Sequence, residues 1–205
     1  SNGSNDHLNG SYFDTGTTSL LMCGTADGNT VIKIGSGTTK THTFSQSNYF
    51  VSCFDTLSPT LKWSFPDSGK TNSEANAIAG DGNGNVYVAG RFNDSLEVVP
   101  VLTGASNGDL FLIKIKIATG NLIWARKITG LGTEEVASVI YDGTNHQPVV
   151  LGNYEDTMYL GSTTLPPFVK GKKAVFAARF DSAGTALSLK SVFESTNDVE
   201  LLDAD

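Results

Sequence analysis

Asp81-Gly82-Asn83-Gly84-Asn85 places side-chain oxygens at alternate positions, as the opening of a calcium-binding loop does. Asp81, Asn83 and Asn85 are therefore the candidate metal ligands of this chain. The pattern departs from a calcium loop further on: Val86 stands where the sharp turn needs Gly, and Phe92 stands where a closing Glu belongs. The competing reading is structural, because an Asp before a Gly/Asn/Thr turn bonds the backbone two residues on and sets the turn. Nucleophilic catalysis finds less support. His7, His42 and His146 fall in unrelated contexts, and no Gly-x-Ser-x-Gly elbow occurs. They read as surface histidines, and no catalytic residue and no cofactor is assigned.

Two cysteines, Cys23 and Cys53, are too few for a zinc site of four ligands. In a secreted chain they are expected to form one cross-strand disulfide, with two buried thiols as the alternative. Asn2, Asn9 and Asn93 each open an Asn-x-Ser sequon and are the candidate glycosylation sites, Asn93 foremost because it falls in a predicted loop. Trp63 and Trp124 lie at equivalent places in two repeats. They are expected to pack between repeats rather than to form a sugar platform, since Leu189 holds the third equivalent place by spacing.

These residues sit on a repeat. Segments 5–14, 73–81, 134–142 and 197–205 each run from polar residues through a short mixed strand to an Asp: Asp14, Asp81, Asp142 and Asp205. The spacings are 67, 61 and 63 residues. After each of the first three Asp residues come a turn and a strand that ends at Gly24, Gly90 and Gly152. Next come a weak strand and a run that starts at Phe50, Phe111 and Phe176. A last strand carries Trp63, Trp124 and Leu189. In DLFLIKIK (109–116), Phe111, Ile113 and Ile115 alternate with Leu112, Lys114 and Lys116, which predicts a half-buried strand.

The expected organisation is three units, 1–71, 72–132 and 133–196, with 197–205 as the first strand of a further one. A small antiparallel sheet cannot cover both its faces alone, so each unit must stack on another like it. Four-stranded units in tandem suit the blades of a β-propeller; a β-solenoid-like stack is the alternative, though its rungs are shorter. The class is all-β, in keeping with 22 Gly and the absence of helix-type runs.

The motifs carry a family resemblance. Residues 76–90 read NAIAGDGNGNVYVAG, 152–165 read GNYEDTMYLGSTTL, and 109–116 with 120–126 read DLFLIKIK and GNLIWAR. Together they resemble the SBBP-type bacterial β-propeller repeat, over all three units and best in the second. The third unit departs at Thr144-Asn145-His146 and at Leu189. The first has Thr15-Gly16-Thr17 at its turn. The resemblance implies propeller repeats in a secreted or surface protein, and no enzyme activity or catalytic residues.

Bulk properties narrow the rest. Net charge is −7, with no basic cluster beyond Lys170-Gly171-Lys172-Lys173, which argues against nucleic acid and against an anionic membrane surface. No run approaches the roughly 20 apolar residues of a membrane span. The start, Ser1-Asn2-Gly3-Ser4-Asn5-Asp6, is too polar for a signal peptide and reads as processed or partial.

The expected function is a non-catalytic extracellular structural or adhesive protein, at the cell surface or secreted, with filament or surface assembly in view. Its partners would be copies of itself or further blades. The alternatives are a module that binds glycans or surface proteins through the loops at 24–48 and 92–108, and a propeller hydrolase or lyase whose carboxylates would come from Asp14, Asp81 and Asp142.

Overall fold

A computed structural model describes residues 6–203 except positions 28, 34–38, 44–45, 59, 67–71, 97, 99–100 and 105–107. All regular structure among the described residues is β. The first unit holds β1 (His7–Asp14), β2 (Ser19–Ala26), β3 (Asn29–Lys33), β4 (Thr39–Thr43), β5 (Asn48–Asp55) and β6 (Thr60–Pro66). The second holds β7 (Ser73–Gly80), β8 (Asn85–Phe92), β9 (Ser95–Leu96), β10 (Leu102–Thr103), β11 (Asp109–Lys116) and β12 (Leu122–Gly130). The third holds β13 (Glu135–Asp142), β14 (Gln147–Tyr154), β15 (Met158–Leu160), β16 (Thr163–Leu165), β17 (Ala174–Phe180) and β18 (Ala186–Phe193).

In each unit the four long strands form one antiparallel meander, β1-β2-β5-β6, β7-β8-β11-β12 and β13-β14-β17-β18. A short hairpin is inserted between the second and third long strands each time: β3–β4, β9–β10 and β15–β16. The third of these leaves its own sheet. β15 pairs with β12, Thr129 opposite Tyr159 and Gly130 opposite Met158, so the second sheet gains two strands from the third unit.

The three meanders share a register. Gly24 lies opposite Phe50, Gly90 opposite Phe111 and Gly152 opposite Phe176. The first strand of each sheet is bulged at one equivalent place, between Leu8 and Gly10, Ala75 and Ala77, and Val136 and Ser138. A bulge bends the strand and turns a carbonyl out of the ladder. Here it turns the carbonyls of His7, Glu74 and Glu135 onto the three glycines, where any Cβ would run into the oxygen. The repeated Gly is thus required by a repeated bulge.

Two apolar cores lie between the sheets. Leu21, Cys23, Val51 and Cys53 of the first sheet meet Val86, Val88, Phe111, Ile113 and Ile115 of the second. Tyr87, Ala89, Leu110, Leu112 and Trp124 on the opposite face of the second meet Val150, Phe176, Ala178 and Phe180 of the third. The hairpins join these cores: Leu96 and Val98 are buried in the first, and Met158 and Leu160 in the second.

The second sheet is consequently buried on both faces, and the half-buried expectation for 109–116 is corrected. Leu112 is fully buried, and so is most of Lys114, which lies over the Tyr87 ring and donates to the carbonyl of Ser182 in the third sheet. Period-2 alternation identifies a strand but does not see a second sheet laid on its polar-looking face.

Segment 197–205 forms no ladder among its described residues. Its backbone is held from the third sheet: Val199 N donates to Lys173 O (3.1 Å), and Leu201 exchanges two hydrogen bonds with the Asn153 side chain (2.7 and 2.9 Å). The first of these resembles the bond from Ser73 N to Ser47 O between the first two units, since Ser47 and Lys173 both precede the landmark Phe by three residues.

The glycine requirement is testable. Gly90→Ala should lower unfolding free energy in urea by about 1–3 kcal/mol, the usual cost of forcing atoms into a packed site. Gly143→Ala, whose new methyl would meet nothing within 4 Å, should change it by less than about 0.5 kcal/mol.

Candidate functional site

The first strands of the three sheets, β1, β7 and β13, run side by side and line an open groove of about 770 Å³ together with Leu202 and Asp203. Its polar groups include Asn9, Ser11, Tyr12, Asn76, Ser138 and Tyr141. Asn9 spans the first gap, its Nδ2 donating to Ala75 O (2.9 Å). The buried Oδ1 of Asn76 faces no hydrogen-bond donor. The groove exists because the bulged first strands of the three sheets lie side by side, and each contributes at least one polar residue to it.

The three landmark carboxylates do not converge in this groove. Each one closes the turn that follows it. Asp81 Oδ1 accepts from Asn83 N (2.8 Å) and Asn85 N (3.0 Å), and its Oδ2 accepts from Asn85 Nδ2 (2.6 Å). Asp142 accepts from Thr144 N, Asn145 N and Asn145 Nδ2 in the same manner, and Asp14 from Thr17 N. Asp81, Asn83 and Asn85 thus meet as donors and acceptor of one turn, with both carboxylate oxygens engaged by N–H groups. The hydrogen bonds hold the Asp142 carboxyl below its usual range, the Asn145 side chain contributing most. Asp181, which sequence reasoning passed over, does the same for the β17–β18 turn by accepting from Ala183 N and Thr185 N.

The expected disulfide is absent: Cys23 and Cys53 are free, buried thiols. The register explains it. Cys23 lies opposite Val51 and Cys53 opposite Leu21, so the cysteines share a face but stand diagonally across β2 and β5. Diagonal neighbours are about 7–8 Å apart, too far for a bridge whose Cβ atoms must approach to about 4 Å. Burial pushes the Cys23 thiol up to about 12 and raises that of Cys53 as well.

The tryptophans do pack between sheets, in a repeated contact. Trp63 lies against Gly120 and donates its indole N–H to Ile117 O (2.6 Å); Trp124 lies against Gly184 and donates to Ser182 O (3.1 Å). Both glycines have positive φ, +74° and +80°, so the turn of the next sheet offers a bare backbone surface to the ring. Two cations reinforce the second contact: Lys114 donates to Ser182 O, and Arg126 to Gly184 O and Ala183 O. Leu189 is not the third equivalent. Trp63 pairs with Cys53 and Trp124 with Lys114, whereas the counterpart Arg179 pairs with Ser188. The β17–β18 connection is one residue shorter, so Leu189 points back into the core against the second sheet, and Ser188 occupies the tryptophan's place.

The remaining candidates stay apart. His7 is exposed at the start of β1. His146 is exposed at the β13–β14 turn, 3.3 Å from the Tyr141 hydroxyl; the His42 side chain lies outside the described residues. Asn2 also lies outside them. Asn9 is exposed, though its Nδ2 serves the bond to Ala75, and Asn93 is half-buried just after β8. The segments 24–48 and 92–108, expected as binding loops, contain the β3–β4 and β9–β10 hairpins, and Leu96 and Val98 of the latter are anchored in the core.

One buried acid gave no sequence signal. Glu134, 1% exposed, follows β12 and accepts from Gly132 N through Oε1, while its Oε2 has no hydrogen-bond partner. Burial raises its carboxyl to about 7, and the negative Asp109 and Glu155 add to this against Gly132 N–H and Arg91. Only the packing of the inter-sheet turn against β8 and β11 reveals it.

Three measurements follow from these contacts. Trp124→Ala should cost about 3–5 kcal/mol, and the half-exposed Trp63 less. Cys23 should resist alkylation in the folded protein, and both thiols should react on unfolding. Glu134 binds its proton more tightly folded than unfolded, so its contribution to stability is complete below about pH 4.5 and is lost as pH rises through about 7. Glu134→Gln should flatten urea midpoints across that window.

Comparison with protein-family models gives no match for this chain, and comparison with curated proteins gives none either.

Proposed function

We propose that the three sheets are blades of a β-propeller of the SBBP-repeat kind, 1–71, 72–132 and 133–196 with 197–205 leading into a further blade, and that the protein is a non-catalytic structural or adhesive module acting outside the cell. The observation that carries this is the repetition of one sheet and of one joint between sheets. The bulge that meets a glycine recurs within each of the three sheets, and the indole that lies on the next sheet's turn recurs at both joints. Equivalent joints between equivalent sheets are what a propeller requires, and the groove along β1, β7 and β13 suits the inner wall of such an arrangement. The low charge and the Asn/Ser/Thr-rich surface suit an extracellular setting. No helix of the described residues is long and apolar enough to cross a membrane.

The groove favours a second reading, a glycan- or protein-binding module. The groove-lining Asn76 and the hydroxyls of Ser11, Tyr12 and Tyr141 suit a polyhydroxylated ligand better than an apolar one. The hydrolase or lyase reading needs convergent carboxylates, whereas Asp14, Asp81 and Asp142 each accept hydrogen bonds within their own turns.

Electron micrographs of the native particle decide between these arrangements. A curved arc or ring of wedge-shaped sheets is the expected image, and a straight stack without a common axis would eliminate the propeller. On a glycan array, the structural reading expects no ligand. Retention that Asn76→Ala reduces at least tenfold would replace it with the binding reading.

A further inference from the structure

We propose that the β12–β13 turn is a proton-operated clasp: with the Glu134 carboxyl neutral it holds the β15–β16 hairpin on β12, and with the carboxylate formed it releases the hairpin while the three sheets stay folded. The inference goes beyond the reading above, since it needs only the joint between the second and third sheets.

The geometry of that joint carries it. Among the described residues, β15–β16 is the one inserted hairpin that pairs with another unit's sheet. Its hold there is short. Two residue pairs, Thr129 with Tyr159 and Gly130 with Met158, continue into one backbone bond from Leu131 N to Thr157 O (3.0 Å). Glu134 sits at the same place. Its carboxyl lies over Gly130, where an added Cβ would strike Oε1, and Oε1 accepts from Gly132 N (3.1 Å). A Cβ on Gly132 would press in turn on Asp156, in the connection that leads into β15. Carboxyl, turn and hairpin therefore pack as one piece.

The carboxyl is poorly placed to carry a charge. Glu134 is 1% exposed, and its buried Oε2 has no hydrogen-bond partner. An ionised group there would have one N–H in place of its water. The charged groups that face it do not compensate. From β11 comes Asp109, itself buried and 3.6 Å from Lys127 Nζ of β12; from the connection before β15 comes Glu155; from β8 comes Arg91. Burial, with Asp109 and Glu155 adding to it against Gly132 N–H and Arg91, keeps the proton on Glu134 up to about pH 7. Once that proton passes to solvent, the carboxylate regains water only if the turn lifts. The Leu131–Thr157 bond and the two strand pairs lift with it. A segment held by so few bonds opens at far less cost than global unfolding. Met158 and Leu160, now buried in the joint, then face solvent together with the edge of β12.

The direction with pH is fixed. Opening turns a carboxyl that titrates near 7 into an ordinary one near 4.5. The opening constant is lowest below about pH 4.5, rises up to about tenfold per pH unit between the two values, and levels off above about pH 7. The turn-closing Asp142 and Asp181 have the opposite sign. Their lowered carboxyls favour the closed turns at neutral pH and lose that effect only in acid.

Amide hydrogen exchange of the full chain between about pH 5 and pH 8, corrected for intrinsic exchange rates, tests this. The Leu131 amide should lose protection at least tenfold by about pH 7 and little more above it, while the slowest amides of β2 and β5 keep theirs. Glu134→Gln should keep Leu131 protected at every pH, with a circular dichroism melt to check that it folds. Leu131 protection that does not change with pH in the wild-type chain would overturn the proposal, and this profile decides alone if the variant does not fold. A pH dependence that survives in folded Glu134→Gln would overturn it as well. So would protection lost in parallel at Leu131, β2 and β5, because the sheets would then come apart together.

Discussion

A β-sheet with apolar residues on both faces must be covered on both, and this requirement governs the molecule. The second sheet shows it most plainly. Phe111, Ile113 and Ile115 are buried on one side and Leu110 and Leu112 on the other, with no surface between them. Burial of apolar area is the main driving term in folding, and a sheet only one residue thick turns half of that term over to whatever lies on its second face. The cores are accordingly between units, none within a unit. Each sheet depends on its neighbour for stability, as in other repeat proteins.

Close approach then needs devices, and the chain uses the same ones again. The bulge in each first strand bends it and sends a carbonyl against a glycine of the same sheet. In the first two sheets the last strand sets an indole on a left-handed glycine of the next sheet's turn. The inserted hairpin crosses the joint and lends buried side chains to it. Polar groups are drawn into the same task. Lys114 reaches a carbonyl of another sheet, with its stem over Tyr87, so a lysine inside the stack has its ammonium hydrogen-bonded. Glu134 is the exception, a buried carboxyl that is only partly satisfied and holds its proton to an unusually high pH.

Much of this was legible in residue order. The spacing of Asp14, Asp81 and Asp142 marked the turns, and the same carboxylates close them. Gly24, Gly90 and Gly152 marked a recurrent constraint, although the sequence did not say that a neighbouring bulge imposes it. Reading failed where a one-residue change in connection length mattered. Spacing from Phe176 placed Leu189 beside Trp63 and Trp124, but the shorter β17–β18 connection moves it to the other face, because side chains alternate at every residue of a strand. The cysteine pair failed for a related reason. Cys23 and Cys53 do share a face, but the register sets them diagonally, and register is a property of two strands together.

The sequence by itself determined the all-β class, the antiparallel four-stranded sheets and the turns, since these follow from local rules: alternation, turn chemistry and the recurrence of Asp, Gly and Phe. Tertiary structure alone decided which faces are covered, which strand edge each hairpin joins and which polar groups are buried. Those depend on distances between residues some sixty positions apart, and nothing in the local chemistry of Glu134, Lys114 or Ser188 specifies what lies across the gap.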